Sequence, residues 1–217
     1  MPLEEMGSFF NTRIDSYEQH MLQDLAGAED YIKIAKLMPT TTNLKLLDLG
    51  CGTGLELDEI FRVNPSVQVT GIDLAEKMLE KLKQKHSDRE NQLKLIITDY
   101  FKYEFGKEVF DVALTAQTLH HFSYEEKTAL YKKIRESLKP SGFYVEADYI
   151  APTQEIEDFH FTEKKRIYTE QGLKEGLYHY DTPCTVENQV RLLKKAGFSN
   201  IEIVWQKENF AIMKAGK

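Results

Sequence analysis

The stretch Leu46–Gly54, LLDLGCGTG, decides how the rest of the chain is read. Its first half is apolar apart from Asp48, the pattern of a strand buried on both faces, as a parallel sheet requires. Its second half puts Gly50, Gly52 and Gly54 at alternate positions. Glycine in that spacing lets the backbone turn tightly and pass close to a flat or charged ligand. A loop of this kind between strand and helix also points N–H groups and a helix N-terminus at the ligand.

Outward from this loop, strand-like runs at Leu44–Leu49, Val67–Ile72, Leu93–Thr98, Phe110–Thr115 and Gly142–Asp148 alternate with amphipathic helical runs. The helices are expected at Leu55–Val63, Ala75–Lys85 and Tyr124–Leu138, the last stopped by Lys139-Pro140-Ser141-Gly142. Such alternation predicts an α/β fold, a doubly wound and mostly parallel sheet with helices on both faces. Beyond Asp148 the alternation breaks. Residues 151–182 are charged and aromatic with helical spacing, so a helical insert is expected there. Thr185–Ala196 reads as a helix with Thr185 as N-cap and Gly197 as its stop. Ile201–Trp205 and Phe210–Met213 suit a hairpin, which makes the final strand antiparallel. Two helical patterns, near Ile14–Leu25 and Ala28–Met38, precede the first strand. Residues 1–217 read as a single domain with residues 1–40 as a helical lid.

The 217 residues are 41% hydrophobic and 29% charged, the balance of a soluble globular chain with its own core. A net charge of −7 argues against a surface that tracks nucleic acid. Cys51 and Cys184 are far apart and lack metal-ligand spacing, so both are expected as free thiols in a reducing cytosol. No apolar run approaches the roughly 20 residues of a membrane span. The opening MPLEEMGSFFNTR lacks the basic-then-apolar order of a secretory signal. The expectation is a cytoplasmic protein with a small-molecule partner, no membrane or nucleic-acid partner, and monomer and homodimer both open.

The loop also discriminates between ligands. Dinucleotide-binding loops place their third glycine further along than Gly54, and here Leu55 and Glu56 follow instead. Glu56 would bring negative charge close to a pyrophosphate. The second strand ends in VTGID, and a carboxylate at Asp73 matches two vicinal ribose hydroxyls. The third ends in IITDY, offering Asp99 to an adenine amino group with Tyr100 beside it. The other reading of both acids is capping of strand ends at the surface.

LLDLGCGTG, GID and TDY resemble the first motifs of class I S-adenosylmethionine-dependent methyltransferases, and LTAQTLHHF, LKPSGFYVEAD and the terminal hairpin resemble the later ones. The resemblance runs from Leu44 nearly to the end. It implies a Rossmann-like, seven-stranded sheet whose last strand is antiparallel, with S-adenosyl-L-methionine as cofactor. It places Gly50 and Gly52 against the methionine part, with Cys51, Thr53 and Gly54 completing the loop and Asp48 acting through it toward the ammonium. Asp73 would bind the ribose, with Leu74 and Met78 after it, and Asp99 and Tyr100 the adenine. Thr115, Ala116 and Gln117 would reach the cofactor from the fourth strand. FFNTRIDSYEQHM resembles the opening of small bacterial members, in which this segment folds over the cofactor. Arg13 is then a candidate for the cofactor carboxylate, a solvent-facing helix arginine being the alternative.

Methyl transfer from a sulfonium is an in-line displacement that needs alignment and a dry site. A general base is needed only if the acceptor must lose a proton early. His120 and His121 are the candidates for such a base or for a polar wall, against a purely structural role. As neighbours in a loop they are not expected to face one pocket, and spacing shows no third ligand for a metal. Tyr17, His20 and Tyr149 are candidate acceptor contacts from the aromatic segments. TVENQVRLLKKAGFSNIEIVWQKENFAIMKA resembles the end of carboxy-S-adenosylmethionine synthase, an enzyme of transfer-RNA wobble-uridine modification. That activity calls for paired arginine at the extra carboxylate, and LKEGLYHYDTPC contains none. A non-catalytic cofactor-binding module is the third reading, opposed by the intact loop and acids.

Overall fold

The computed structural model describes residues 2–25, 27–173 and 176–217. Three short helices come first, α1 (Met6–Thr12), α2 (Ile14–His20) and α3 (Ala28–Ala35), with a π-helical turn at Met21–Leu25. Then follow β1 (Lys45–Leu49), α4 (Leu55–Val63), β2 (Gln68–Asp73), α5 (Glu76–Lys85), β3 (Leu93–Ile97) and β4 (Phe110–Ala116). The chain continues through α6 (Tyr124–Ser137), β5 (Leu138–Tyr149), α7 (Gln154–Glu170) and α8 (Val186–Lys195). It closes with β6 (Ser199–Lys207) and β7 (Phe210–Gly216).

The strands form one seven-stranded sheet in the order β3-β2-β1-β4-β5-β7-β6. β7 is antiparallel to both of its neighbours, which leaves β6 running with the first five strands. The alternation along β1 shows why both faces are covered. Leu46 packs with Ile34, Leu57 and Ile60 on one side, while Leu47 and Leu49 pack with Tyr131, Ile134 and Leu193 on the other. Each such leucine contributes about 1.5–3 kcal/mol by leaving water. Local signals fix the helix starts. Ser123 and Glu126 form a capping box on α6, at 3.2 Å from Glu126 N to Ser123 Oγ and 2.7 Å from Ser123 N to Glu126 Oε2. Thr153 and Thr185 cap α7 and α8. Among the described residues no helix is long and apolar enough to cross a membrane.

Three features differ from expectation. Residues 151–182 are not helical throughout. α7 ends near Gly172, which adopts φ +60°, and the chain then extends so that Tyr178 bridges Glu5. β5 starts at Leu138 rather than Gly142. Leu138 pairs with Phe110 and Phe143 with Val112, so the proline-bearing stretch bulges out of the ladder instead of ending it. The helix α1 was not legible, being seven residues long with no full apolar repeat. The order β2-β1-β4 reverses direction between β1 and β4, the switch point where ligands bind at the carboxyl ends of strands.

Candidate active site

The loop after β1 sits at that switch point. Gly50 has φ +69°, and a Cβ there would lie 2.5 Å from Thr118 Cγ2 and 2.6 Å from its Oγ1. Gly52 has φ +48° and faces the Tyr17 hydroxyl, which a Cβ would meet at 3.4 Å. The left-handed backbone favours glycine at both positions, and at Gly50 the space excludes a side chain as well. Asp73, at the end of β2, holds the loop in place: its Oδ2 accepts from Gly52 N at 2.9 Å and its Oδ1 from Ala75 N at 2.8 Å. Each oxygen keeps a further lone pair for a ligand. Burial raises the Asp73 carboxyl above its usual range, against the backbone hydrogen bonds that lower it.

A narrow cleft of about 50 Å³ runs along this loop. Gly50, Gly52, Asp73, Leu74, Met78, Tyr100 and Gln117 line it, all expected at the cofactor. Met6, Phe10 and Thr118 line it too; none was singled out from the sequence, although Phe10 and Thr118 lie in segments that carry the family resemblance. The cleft is this small because α1 and α2 drop Met6, Phe10 and Tyr17 into it. Asn11 Oδ1 fastens α1 to α5 by accepting from Lys77 N at 3.0 Å.

Other expected cofactor residues lie elsewhere. Asp99 does not line the cleft; its carboxylate accepts from Phe101 N at 2.9 Å and pairs with Lys102 at 3.2 Å. Arg13 is turned to Glu4, with Nη2 at 2.7 Å from Oε1, and covers the Phe9 ring at 3.7 Å. It lines the neighbouring cavity, not the cleft. Cys51 is part of the apolar core, Thr53 is buried behind the loop, and Gly54 abuts Leu82. Thr115 is hydrogen-bonded to the Tyr144 hydroxyl at 2.5 Å, and Ala116 packs on the core. Asp48 is buried behind the loop with neither oxygen hydrogen-bonded. Burial and the adjacent Glu56 hold it well above the carboxylate range, and burial pushes Glu56 up to about 7.

These features fit S-adenosylmethionine. The glycine cradle leaves room for backbone approach, and the Asp73 carboxylate retains acceptors for a diol.

A larger cavity of about 810 Å³ adjoins the cleft and shares Phe10, Tyr17, Gln117 and His121 with it. His20 and Tyr149 line this cavity, as do both His120 and His121, so the two histidines do face one pocket. They can because Leu119–His121 winds as a 3₁₀ turn that brings their rings to 4.0 Å. His120 Nδ1 lies 2.5 Å from Asp148 Oδ1, and Asp148 also accepts from Leu119 N at 2.8 Å. Burial opposes charge on His120, but Asp148 outweighs it and raises the ring's pKa. Burial and then the neighbouring His120 push His121 down to about 4.

Folding also supplies a group that spacing did not reveal. The segment after α7 is pinned to the 3₁₀ turn by Thr182 N donating to His120 O at 2.5 Å. This brings Asp181 to 3.1 Å from His121 Nδ1 and 3.7 Å from His120 Nε2. The expectation that no third ligand accompanies the histidines is therefore corrected. An aspartate between histidine, tyrosines and a proline in YHYDTP was the available clue. His179 joins the same wall, stacked on Phe9 with centroids 3.5 Å apart.

A family profile described as a methyltransferase domain matches residues 46–142. A carboxy-S-adenosyl-L-methionine synthase of Wolinella succinogenes is 30% identical over 183 residues, covering 78% of this chain and 75% of the relative. The Nautilia profundicola protein of that name is 28% identical over 183 residues, covering 80% and 77%. Among solved structures, phosphoethanolamine N-methyltransferase 2 of Haemonchus contortus, in complex with S-adenosyl-L-methionine, superposes with TM-score 0.70 at 17% identity. The match takes in 95% of this chain but spans 57% of that one. With the sheet order, the glycine cradle and these relatives together, the chain belongs to the class I S-adenosylmethionine-dependent methyltransferase family.

Proposed function

We propose that the chain transfers the methyl group of S-adenosylmethionine to a small-molecule acceptor held in the larger cavity. The observation that carries this reading is the seam formed by Phe10, Tyr17, Gln117 and His121, which line both the cofactor cleft and the cavity. A donor along the glycine loop and an acceptor beyond the seam would approach each other there. The bound cofactor supplies an electrophilic methyl on a positively charged sulfur. Gly50, Gly52 and Asp73 bind and orient it. Phe10 and Tyr17 close the seam against water, which favours displacement. His120, His121 and Asp181 give the cavity a polar wall for the acceptor.

The names of the curated relatives favour a second reading, synthesis of a carboxylated cofactor. Such a site must bind one more carboxylate. Among the described residues lining the two cavities, Arg13 is the sole guanidinium, and it is paired with Glu4. Methyl transfer therefore stands first. Mass spectrometry of the ligand released from the purified protein separates the readings. Unmodified cofactor or its demethylated product is expected. A carboxylated cofactor would establish the second reading, and a folded protein that neither carries nor binds either would leave a non-catalytic module.

A further inference from the structure

We propose that His120, His121 and Asp181 form a site for a divalent transition-metal ion of the zinc class on the wall of the larger cavity. One ring nitrogen of each of His120 and His121 and an Asp181 oxygen all lie within 4.8 Å of one another. The separations to Asp181 Oδ1 are 3.1 Å from His121 and 3.7 Å from His120. A tetrahedral zinc site with bonds of about 2.0–2.1 Å sets its ligand atoms about 3.3–3.4 Å apart, between these two values. Small rotations of the side chains would bring the three atoms onto one ion.

Two further observations point to a ligand. His121 is 3% exposed, and its Nδ1 is buried without a hydrogen-bond partner, as is Asp181 Oδ1. The two atoms face each other as an ion-pair contact at 3.1 Å, and neither has a hydrogen-bond partner beyond it. An ion between them would give both a ligand bond. Meanwhile Asp148 takes the Nδ1 side of His120 at 2.5 Å and is itself held by Leu119 N and by Tyr149 N at 2.9 Å. That contact turns the Nε2 lone pair toward Asp181. A carboxylate behind a histidine in this way fixes the ring and raises its basicity toward a metal.

Three protein ligands leave the fourth position open, and here it faces the cavity. An oxygen or sulfur donor of a small acceptor suits that position, where the ion would lower the acceptor's pKa and leave it the better nucleophile. This last step rests on the methyl-transfer reading; the site itself does not.

The test is titration of the untagged, chelator-treated protein with cobalt(II), followed by visible absorption, with zinc(II) as competitor. One ion per chain should bind, with ligand-field bands in the visible that zinc removes. His121→Ala and Asp181→Asn should each weaken binding at least tenfold. Asp148→Asn, which keeps all three ligands, should weaken it by about 10–100-fold. Circular dichroism shows whether each variant is folded, and calorimetry with S-adenosylhomocysteine on the same samples reports the cofactor site separately. Absence of stoichiometric binding by the unaltered chain, or binding unchanged in folded His121→Ala and Asp181→Asn, would overturn the site. Loss of cofactor binding with metal binding intact would overturn only the functional reading.

Discussion

Replacing Asp73 by asparagine tests the cofactor site at its most constrained point. In the folded chain each carboxylate oxygen already accepts one backbone N–H, Gly52 at 2.9 Å and Ala75 at 2.8 Å. The remaining lone pairs are what a ribose diol would use. Hydrogen bonds to a charged group contribute about 1.5–3 kcal/mol each. Asparagine keeps the shape but makes one oxygen a donor, which then faces either a backbone N–H or a hydroxyl that must reorient. Losing two charge-assisted bonds at the lower end of that range gives about 3 kcal/mol. With tenfold for each 1.4 kcal/mol, affinity should fall about a hundredfold. Titration calorimetry with S-adenosylhomocysteine measures the loss, and thermal unfolding of the variant checks that the loop still folds. A folded Asp73→Asn protein that binds within threefold of the unaltered chain would refute the assignment.

Gly50→Ala should lower Tm by about 2–8 °C from its left-handed backbone alone, at about 1–2 kcal/mol, and Thr118→Ala should recover only the part due to the 2.5 Å clash. If Gly50→Ala is as stable as the parent in thermal unfolding, the cradle is not as tight as described. Burial pushes Glu146 up to about 7 from 4.5, so folding favours its protonated form. The associated stability is complete below about pH 4.5 and is lost as pH rises through 7, a change of about 3 kcal/mol. Urea unfolding between pH 5 and 8 should show a shallower decline for Glu146→Gln, and parallel curves would remove Glu146 from the account. Since Met6, Phe10 and Tyr17 of α1 and α2 reach into the cleft along the glycine loop, these helices are expected to shift when cofactor enters. Hydrogen exchange at residues 9–21 should therefore change with S-adenosylhomocysteine, as at Gly50–Gly54; a response confined to the loop and strand ends would make the aromatic cover simple packing.

The sheet was legible because its strands are apolar on both faces and its helices carry their own start and stop signals, as with Ser123 ahead of α6 and Gly197 after α8. The glycine loop and Asp73 were legible because their spacing is local. Asp99 stands outside the cleft lining, with the Phe101 amide and Lys102, one turn later, on its carboxylate. Arg13 is paired with Glu4 from the other end of α1, a contact its own segment does not announce. The cavity wall depends on Asp181 meeting a turn 60 residues earlier, through Thr182 and the Glu5–Tyr178 bridge. No periodicity records such a contact. Likewise, whether two adjacent histidines share a pocket depends on the 3₁₀ winding of Leu119–His121.

Calorimetry with S-adenosylhomocysteine and NAD, run side by side on the same protein, measures whether the loop after β1 holds an adenosylated sulfur cofactor in preference to a dinucleotide. Stoichiometric binding of S-adenosylhomocysteine is expected, with NAD at least a hundredfold weaker because the third glycine of a pyrophosphate-binding loop is missing. NAD binding as tight as S-adenosylhomocysteine would contradict that preference.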